Sequence, residues 1–175
     1  MTGNRRVRRG AAAVLAAAVV LASACAAPSD EALIRDFIEE AAARAEKRDV
    51  AGLAGLFAPD YGDFEGRDAA GTVRLVTDYL AQYRGVVVHV LGVRVDPAGP
   101  DGRVPVECEV VLSHGAAEML RKLIRYGGES YRFRIEVRRS GPKGWRFTYA
   151  EWRAIGTADL FPESIEVLRK LFPDL

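Results

Sequence analysis

Between Asp60 and Asp68 the chain sets three aspartates and a phenol close together: Asp60, Tyr61, Asp63 and Asp68. A carboxylate that faces an apolar cavity has its pKa raised and can carry protons. Joined to a phenolic donor, it suits a proton-shuttling isomerase, dehydratase or cyclase. His89 stands in an otherwise apolar run and is the candidate basic partner of Asp63. The same residues have plainer uses. Asp60 can hold a turn, Asp68 can cap a helix, Asp63 can sit in solvent, and His89 can be a hydrogen-bonded strand histidine. His114 lies at a strand end beside Gly115 and reads as loop. Two isolated histidines without paired spacing give no metal site, and no cofactor is expected. Cys108 falls in an alternating apolar run and reads as a small buried hydrophobe rather than a nucleophile. No phosphate loop, dinucleotide fingerprint or nucleophile elbow occurs.

The elements that must position these residues follow from periodicity. Leu33, Ile34, Phe37, Ile38, Ala41 and Ala45 recur at helical spacing after Ser29 and Asp30, either of which can cap, and predict a helix to about Lys47. Asp49 caps a short second helix that Pro59 stops. The stretch Asp60 to Arg67 reads as a polar, glycine-punctuated connection. Asp68 then caps a third helix that ends at Gly85. From Val86 the period becomes 2. Strands are predicted over Val86–Val95, Val104–Leu112, Tyr131–Val137 and Trp145–Ile155, with Pro105 at an edge or a strand start. On strict alternation His89 shares a face with Val87, Leu91, Val93 and Val95. Trp152 has the opposite parity to Trp145, Phe147 and Tyr149 and is expected at a rim or interface. Ala116–Tyr126 and Pro162–Phe172 read as two further helices, both candidate lids. Glu107, Glu109, Arg132, Arg134, Glu136 and Arg138 line the polar faces of two strands, as cross-strand ion pairs on a solvated sheet would.

The first residues tell a separate story. Arg5, Arg6, Arg8 and Arg9 precede an apolar run from Ala11 to Leu21, then small residues, then Cys25. That is the layout of a secretory signal. Leu21-Ala22-Ser23-Ala24-Cys25 resembles a bacterial lipoprotein signal, which implies cleavage before Cys25 and lipid on its sulfur and amine. Two or more acyl chains hold a protein on a bilayer where one does not. The whole chain carries 25 basic and 24 acidic residues; without the four leader arginines, 21 basic face 24 acidic, near −3. The basic balance belongs to the leader, so no nucleic-acid surface is expected. The expected organisation is signal peptide 1–24, tether 25–30, α+β domain 31–156 and helical extension 157–175. The expected location is the cell envelope, with the domain in the periplasm or on the outer surface.

Helices first and mostly antiparallel strands after them define an α+β class. Pro59-Asp60-Tyr61, Tyr131-Arg132-Phe133 and the run Gly144 to Arg153 resemble the nuclear transport factor 2-like superfamily (the SnoaL-like, cystatin-like cone), and within it bacterial lipoproteins of unassigned activity. The resemblance implies N-terminal helices packed on a strongly curved sheet, a cone with a pocket between the two layers, a C-terminal helix, and frequent homodimers through the outer sheet face. It implies an acid or an Asp–His pair inside the cone where members are enzymes. The candidate pocket residues are Tyr61, Tyr83, Tyr131 and Trp152; the candidate catalytic residues are Tyr61, Asp63 and His89. The expected function is a membrane-tethered, non-catalytic module binding a small apolar ligand or a protein. The alternatives are the proton-shuttling enzyme and a dimerising assembly part.

Overall fold

A computed structural model describes residues 28–82, 85–114, 129–142 and 144–171; for residues 114 and 129 it describes the backbone alone. The leader with Cys25, the Ala116–Tyr126 segment and Tyr83 lie outside the described residues. The chain divides into Met1–Ala32 and a compact body, Leu33–Leu175. No helix among the described residues is long and apolar enough to cross a membrane.

Helix α1 spans Asp30–Glu46 and buries Ile34, Phe37 and Ile38, the predicted face. At its start the Ala32 N–H donates to Ser29 Oγ at 3.2 Å. The short α2 (Val50–Ala54) begins at Asp49, whose carboxylate accepts the Gly52 N–H at 2.9 Å. Helix α3 (Ala69–Ala81) begins at Asp68, which accepts from the Gly71 N–H at 2.8 Å. Each such cap is worth about 1 kcal/mol, and all three caps were legible in the sequence because they are local.

Between α2 and α3 stands a strand that the polar reading of Asp60 to Arg67 did not foresee: β1, Phe57–Asp63. It pairs in parallel with the last strand and slips register between Phe57 and Gly62. Pro59 survives there because β1 is an edge strand. The others are β2 (Val86–Val95), β3 (Arg103–His114), β4 (Glu129–Arg139) and β5 (Trp145–Ile155). Sheet order is β1-β5-β4-β3-β2, antiparallel from β2 through β5. The fold is thus α+β on a mixed, open sheet, with α1 and α3 over one face. Pro105 lies inside β3, where β2 is ending; its carbonyl takes the Asp96 N–H at 3.0 Å.

Two bulges redistribute the faces. In β2 the register shifts between Val90 and Gly92. His89 keeps company with Leu91 opposite Val111, while Val93 and Val95 cross to the other face and join the main core. In β5 the shift lies between the partners of Glu136 and Val137. Trp145, Phe147, Ala150 and Trp152 therefore share the core face, and Tyr149 points away, its hydroxyl meeting Glu151 at 3.3 Å. An extra residue inverts the alternation beyond it, which a strict period of 2 cannot anticipate.

Helix α4 (Pro162–Leu171) follows a single turn at Thr157–Asp159. It is not a lid on the cavity. It packs on the opposite sheet face, where Leu160 and Leu168 join Leu91 and Val111 in a second apolar cluster. Each such side chain fully buried contributes about 1.5–3 kcal/mol. Glu109, fully buried on that face, takes the Phe161 N–H on Oε2 at 2.8 Å and Arg132 Nε on Oε1 at 2.9 Å. Arg132 also donates to the Asp159 carbonyl. The guanidiniums of Arg94 and Arg132 stand over the Phe161 ring at 3.5 and 4.5 Å from its centroid. Gly92 allows the close approach: a Cβ there would stand 2.4 Å from Ser164 Oγ.

Candidate apolar binding cavity

A cavity of about 340 Å³ lies between the helices and the sheet, within the size range of small-molecule sites. Its roof is Ile38, Ala41, Ala42 and Ala45 of α1 with Thr72, Leu75, Val76, Tyr79 and Leu80 of α3. Its floor comes from all five strands: Phe57 and Tyr61, Val88, Cys108, Val110 and Leu112, Tyr131, Phe133 and Ile135, then Phe147, Ala150 and Trp152. The space exists because α1 presents only methyl groups at 41, 42 and 45 above a curved sheet. Aromatic contacts brace the floor: Phe57–Tyr61 at 4.5 Å and Phe37–Phe147 at 4.6 Å between centroids. No charged side chain lines it among the described residues.

Of the residues singled out from sequence, Tyr61, Tyr131 and Trp152 line this cavity together. Asp63 does not. Its side chain is buried, and four donors hold it: the Glu65 and Arg67 N–H groups on Oδ1 at 3.0 and 2.8 Å, Arg67 Nε on Oδ2 at 2.7 Å, and the Thr72 hydroxyl on Oδ2 at 3.2 Å. Burial pushes its carboxyl up, but the Arg67 backbone and guanidinium and the Glu65 N–H outweigh that and hold it below the ordinary value. His89 lies on the other sheet face, its Nε2 3.3 Å from Ser113 Oγ. Burial lowers its pKa, against the pull of the Glu46 carboxylate. Asp63 and His89 are not brought together. Asp60 forms a two-point pair with Arg138 at 3.1 and 2.7 Å, and that bond holds its carboxyl low. Asp68 is the α3 cap.

Burial pushes the Tyr61 hydroxyl up to about 12, moderated by the Thr72 hydroxyl beside it. It is a neutral donor at any physiological pH. Burial likewise pushes the Cys108 thiol up to about 12. Because the thiolate is the reactive form, the folded protein at pH 8 is expected to resist iodoacetamide at Cys108. A urea-unfolded control should alkylate within minutes; mass spectrometry reads both, and equal rates would contradict the burial.

Sequence reasoning passed over Thr72 and Arg67. Their only signal was spacing, Arg67 four residues after Asp63 and Thr72 four after Asp68. A second hollow, of about 230 Å³, is bounded by Phe64, Arg132, Arg134, Glu151, Trp152 and Arg153. Two of its arginines already face carboxylates: Arg132 pairs with Glu109, and Arg134 with Glu107 and Glu151. No cluster of metal-binding side chains occurs among the described residues.

The backbone arrangement has counterparts among solved structures. Bd1075 of Bdellovibrio bacteriovorus superposes with a TM-score of 0.55 at 11% identity, covering 71% of this chain and 40% of that chain. A nuclear transport factor 2-like protein of unknown function from Pseudomonas aeruginosa, PA1314, gives 0.57 at 15%, covering 71% and 99%. A Nostoc punctiforme protein of unknown function with a cystatin-like fold gives 0.56 at 14%, covering 75% and 96%. No family model matches the chain, and no curated protein does. The chain has the nuclear transport factor 2-like fold, in the cystatin-like class of helix-on-sheet cones. At these identities the likeness is one of fold, and activity must be argued from the site.

Proposed function

We propose that this chain is an exported lipoprotein, anchored through Cys25, whose domain binds one small apolar molecule in the cavity beneath α1 and α3. One observation carries the binding reading: the cavity is continuous, of ligand size and walled by hydrocarbon and aromatic rings, with no charged side chain among the described residues. The envelope placement rests on the leader alone: four arginines, an apolar run and a small-residue approach to Cys25.

The isomerase, dehydratase or cyclase alternative needs Asp63 to share a ligand atom with Tyr61 or His89. Asp63 is engaged by four donors and His89 lies behind the sheet, so no observation favours it. The assembly alternative needs a broad apolar sheet face. The face away from the cavity instead carries ion pairs such as Arg134–Glu107 and Arg103–Glu136, and α4 covers part of it.

Two arms test the proposal. In a bacterial host, the wild-type chain should sediment with membranes and Cys25→Ala should not; equal sedimentation would remove the anchor. The neutral dye N-phenyl-1-naphthylamine should bind one per chain, with affinity lowered at least tenfold by Ala42→Phe, which fills the roof. An unchanged affinity in that variant would remove the cavity as the site.

A further inference from the structure

The sheet ends on β2, so one side of that strand has no neighbour in the ladder. From Val86 opposite His114 to Val90 opposite Val110, β2 runs in regular antiparallel register with β3; the shift comes after Val90. Alternate residues of such a strand turn their N–H and C=O groups outward. Val88 is one of them: its N–H donates to Glu46 Oε1 at 2.7 Å, a residue 42 positions away in the chain. Val86 and Val90 share its parity and face the same way. The stretch Val86–Val90 is four valines and a histidine, with no proline and no acidic residue, lysine or arginine. An edge of that composition is a template for another strand. Val87, on its outer face, is 38% exposed. Further along, α4 lies against β2 at Gly92, and Arg94 is paired with Glu163.

Glu46 is poorly placed for its own helix. It is the exposed last residue of α1, where the helix dipole favours a cation and disfavours a carboxylate. What it does there is fill the outward donor at the middle of the open stretch.

That stretch is complementary to itself. Laid antiparallel on a second copy about a two-fold axis at Val88, Val88 faces its own counterpart, Val86 faces Val90 and Val87 faces His89. The outward-turned residues then form the hydrogen-bonded pairs, and no like charges stand opposite each other. A two-fold pairing closes on itself and presents the same patch from both copies. The donor at its centre is the one that Glu46 occupies.

We propose that the outer edge of β2 is a docking site for a second copy of this chain, and that Glu46 keeps it closed by occupying the Val88 N–H. The contact is strand to strand, along the edge opposite β1, and uses neither the cavity nor the sheet face under α4.

Sedimentation equilibrium of the full chain, in detergent matched for density, tests this. The wild type should be monomeric. Glu46→Ala should form dimers, with association at least tenfold tighter than any shown by the wild type. Glu46→Lys, a cation that suits the helix end and accepts no hydrogen bond, should open the edge in the same way and serves if alanine loosens α1. Glu46→Gln still offers an oxygen to the Val88 N–H and should stay monomeric. In the Glu46→Ala background, Val87→Lys should restore the monomer, because an edge lysine blocks strand addition. Phe64→Lys, beyond the other edge of the sheet, should leave the dimer intact. Monomers in both Glu46→Ala and Glu46→Lys, a wild type as dimeric as either, or a dimer lost to Phe64→Lys and kept in Val87→Lys would each overturn the proposal. So would Glu46→Gln dimerising as tightly as Glu46→Ala.

Discussion

Glu109→Ala should lower the melting temperature by roughly 10–20 °C, corresponding to about 3–5 kcal/mol for breaking a buried ion pair in a domain of this size. Glu109 is fully buried, and its two oxygens hold two different parts of the chain, Arg132 of β4 and the Phe161 N–H at the entry to α4. Alanine strands the mostly buried Arg132 guanidinium and leaves the Phe161 N–H without an acceptor. The loss should concentrate on α4, so limited proteolysis should cut the variant first after Gly156. Glu109→Met combined with Arg132→Leu should recover much of the stability, because an apolar pair of similar volume removes the stranded charge. A melting temperature within 3 °C of wild type for Glu109→Ala would show that the latch contributes little.

Asp63→Asn should cost about 2–4 kcal/mol at pH 7, since it weakens a buried pair with Arg67 and turns an acceptor for four donors into a poorer one. The cost should depend on pH in a defined sense. The folded carboxyl titrates below its ordinary value of 3.8. Its contribution is therefore complete above the unfolded value, near pH 4 and upward. It is lost as pH falls through the lower folded value. Urea denaturation should show the two proteins converging between pH 4 and pH 2. Asp60 and Glu163 are also held low by arginine partners, so the acid limb of the variant is blunted rather than removed. A cost below 1 kcal/mol at pH 7, or divergence on acidification, would free Asp63 from its structural role and return it to the candidates for proton transfer.

What could be read in the one-dimensional chain was whatever neighbours in sequence decide. Asp49 and Asp68 cap their helices because the cap and its N–H lie three residues apart. Period alone marked β2 to β5 and the buried side of α1. Tyr61, Tyr131 and Trp152, named from the sequence, all line the cavity, although Trp152 was expected at a rim. What could not be read depended on partners far along the chain. β1 is a strand only because β5 lies beside it. The inward turn of Val93 and Trp152 depends on single extra residues in two strands, and no residue type announces them. The side on which α4 docks was settled by Glu109, Gly92 and Val111 on the sheet. The chemistry expected of Asp63 and His89 rested on their types, whereas their roles come from Arg67, Thr72 and Ser113.

The parallel pairing of the first strand with the last sets an order of assembly. Phe57 is held by Arg146, which donates to its carbonyl from 89 positions later at 3.0 Å, and Leu56 accepts the Phe147 N–H at 2.9 Å. A chain made or threaded from its amino end therefore has α1, α2 and β1 in hand long before their partner emerges. Contacts of such separation form late and slowly. Until β5 arrives, one wall of the cavity is missing and Phe57, Tyr61 and the underside of α1 stay wet. Maturation of this protein is thus expected to be a terminal event, gated by delivery of its final fifth, and a nascent chain halted before Trp145 should not bind a ligand.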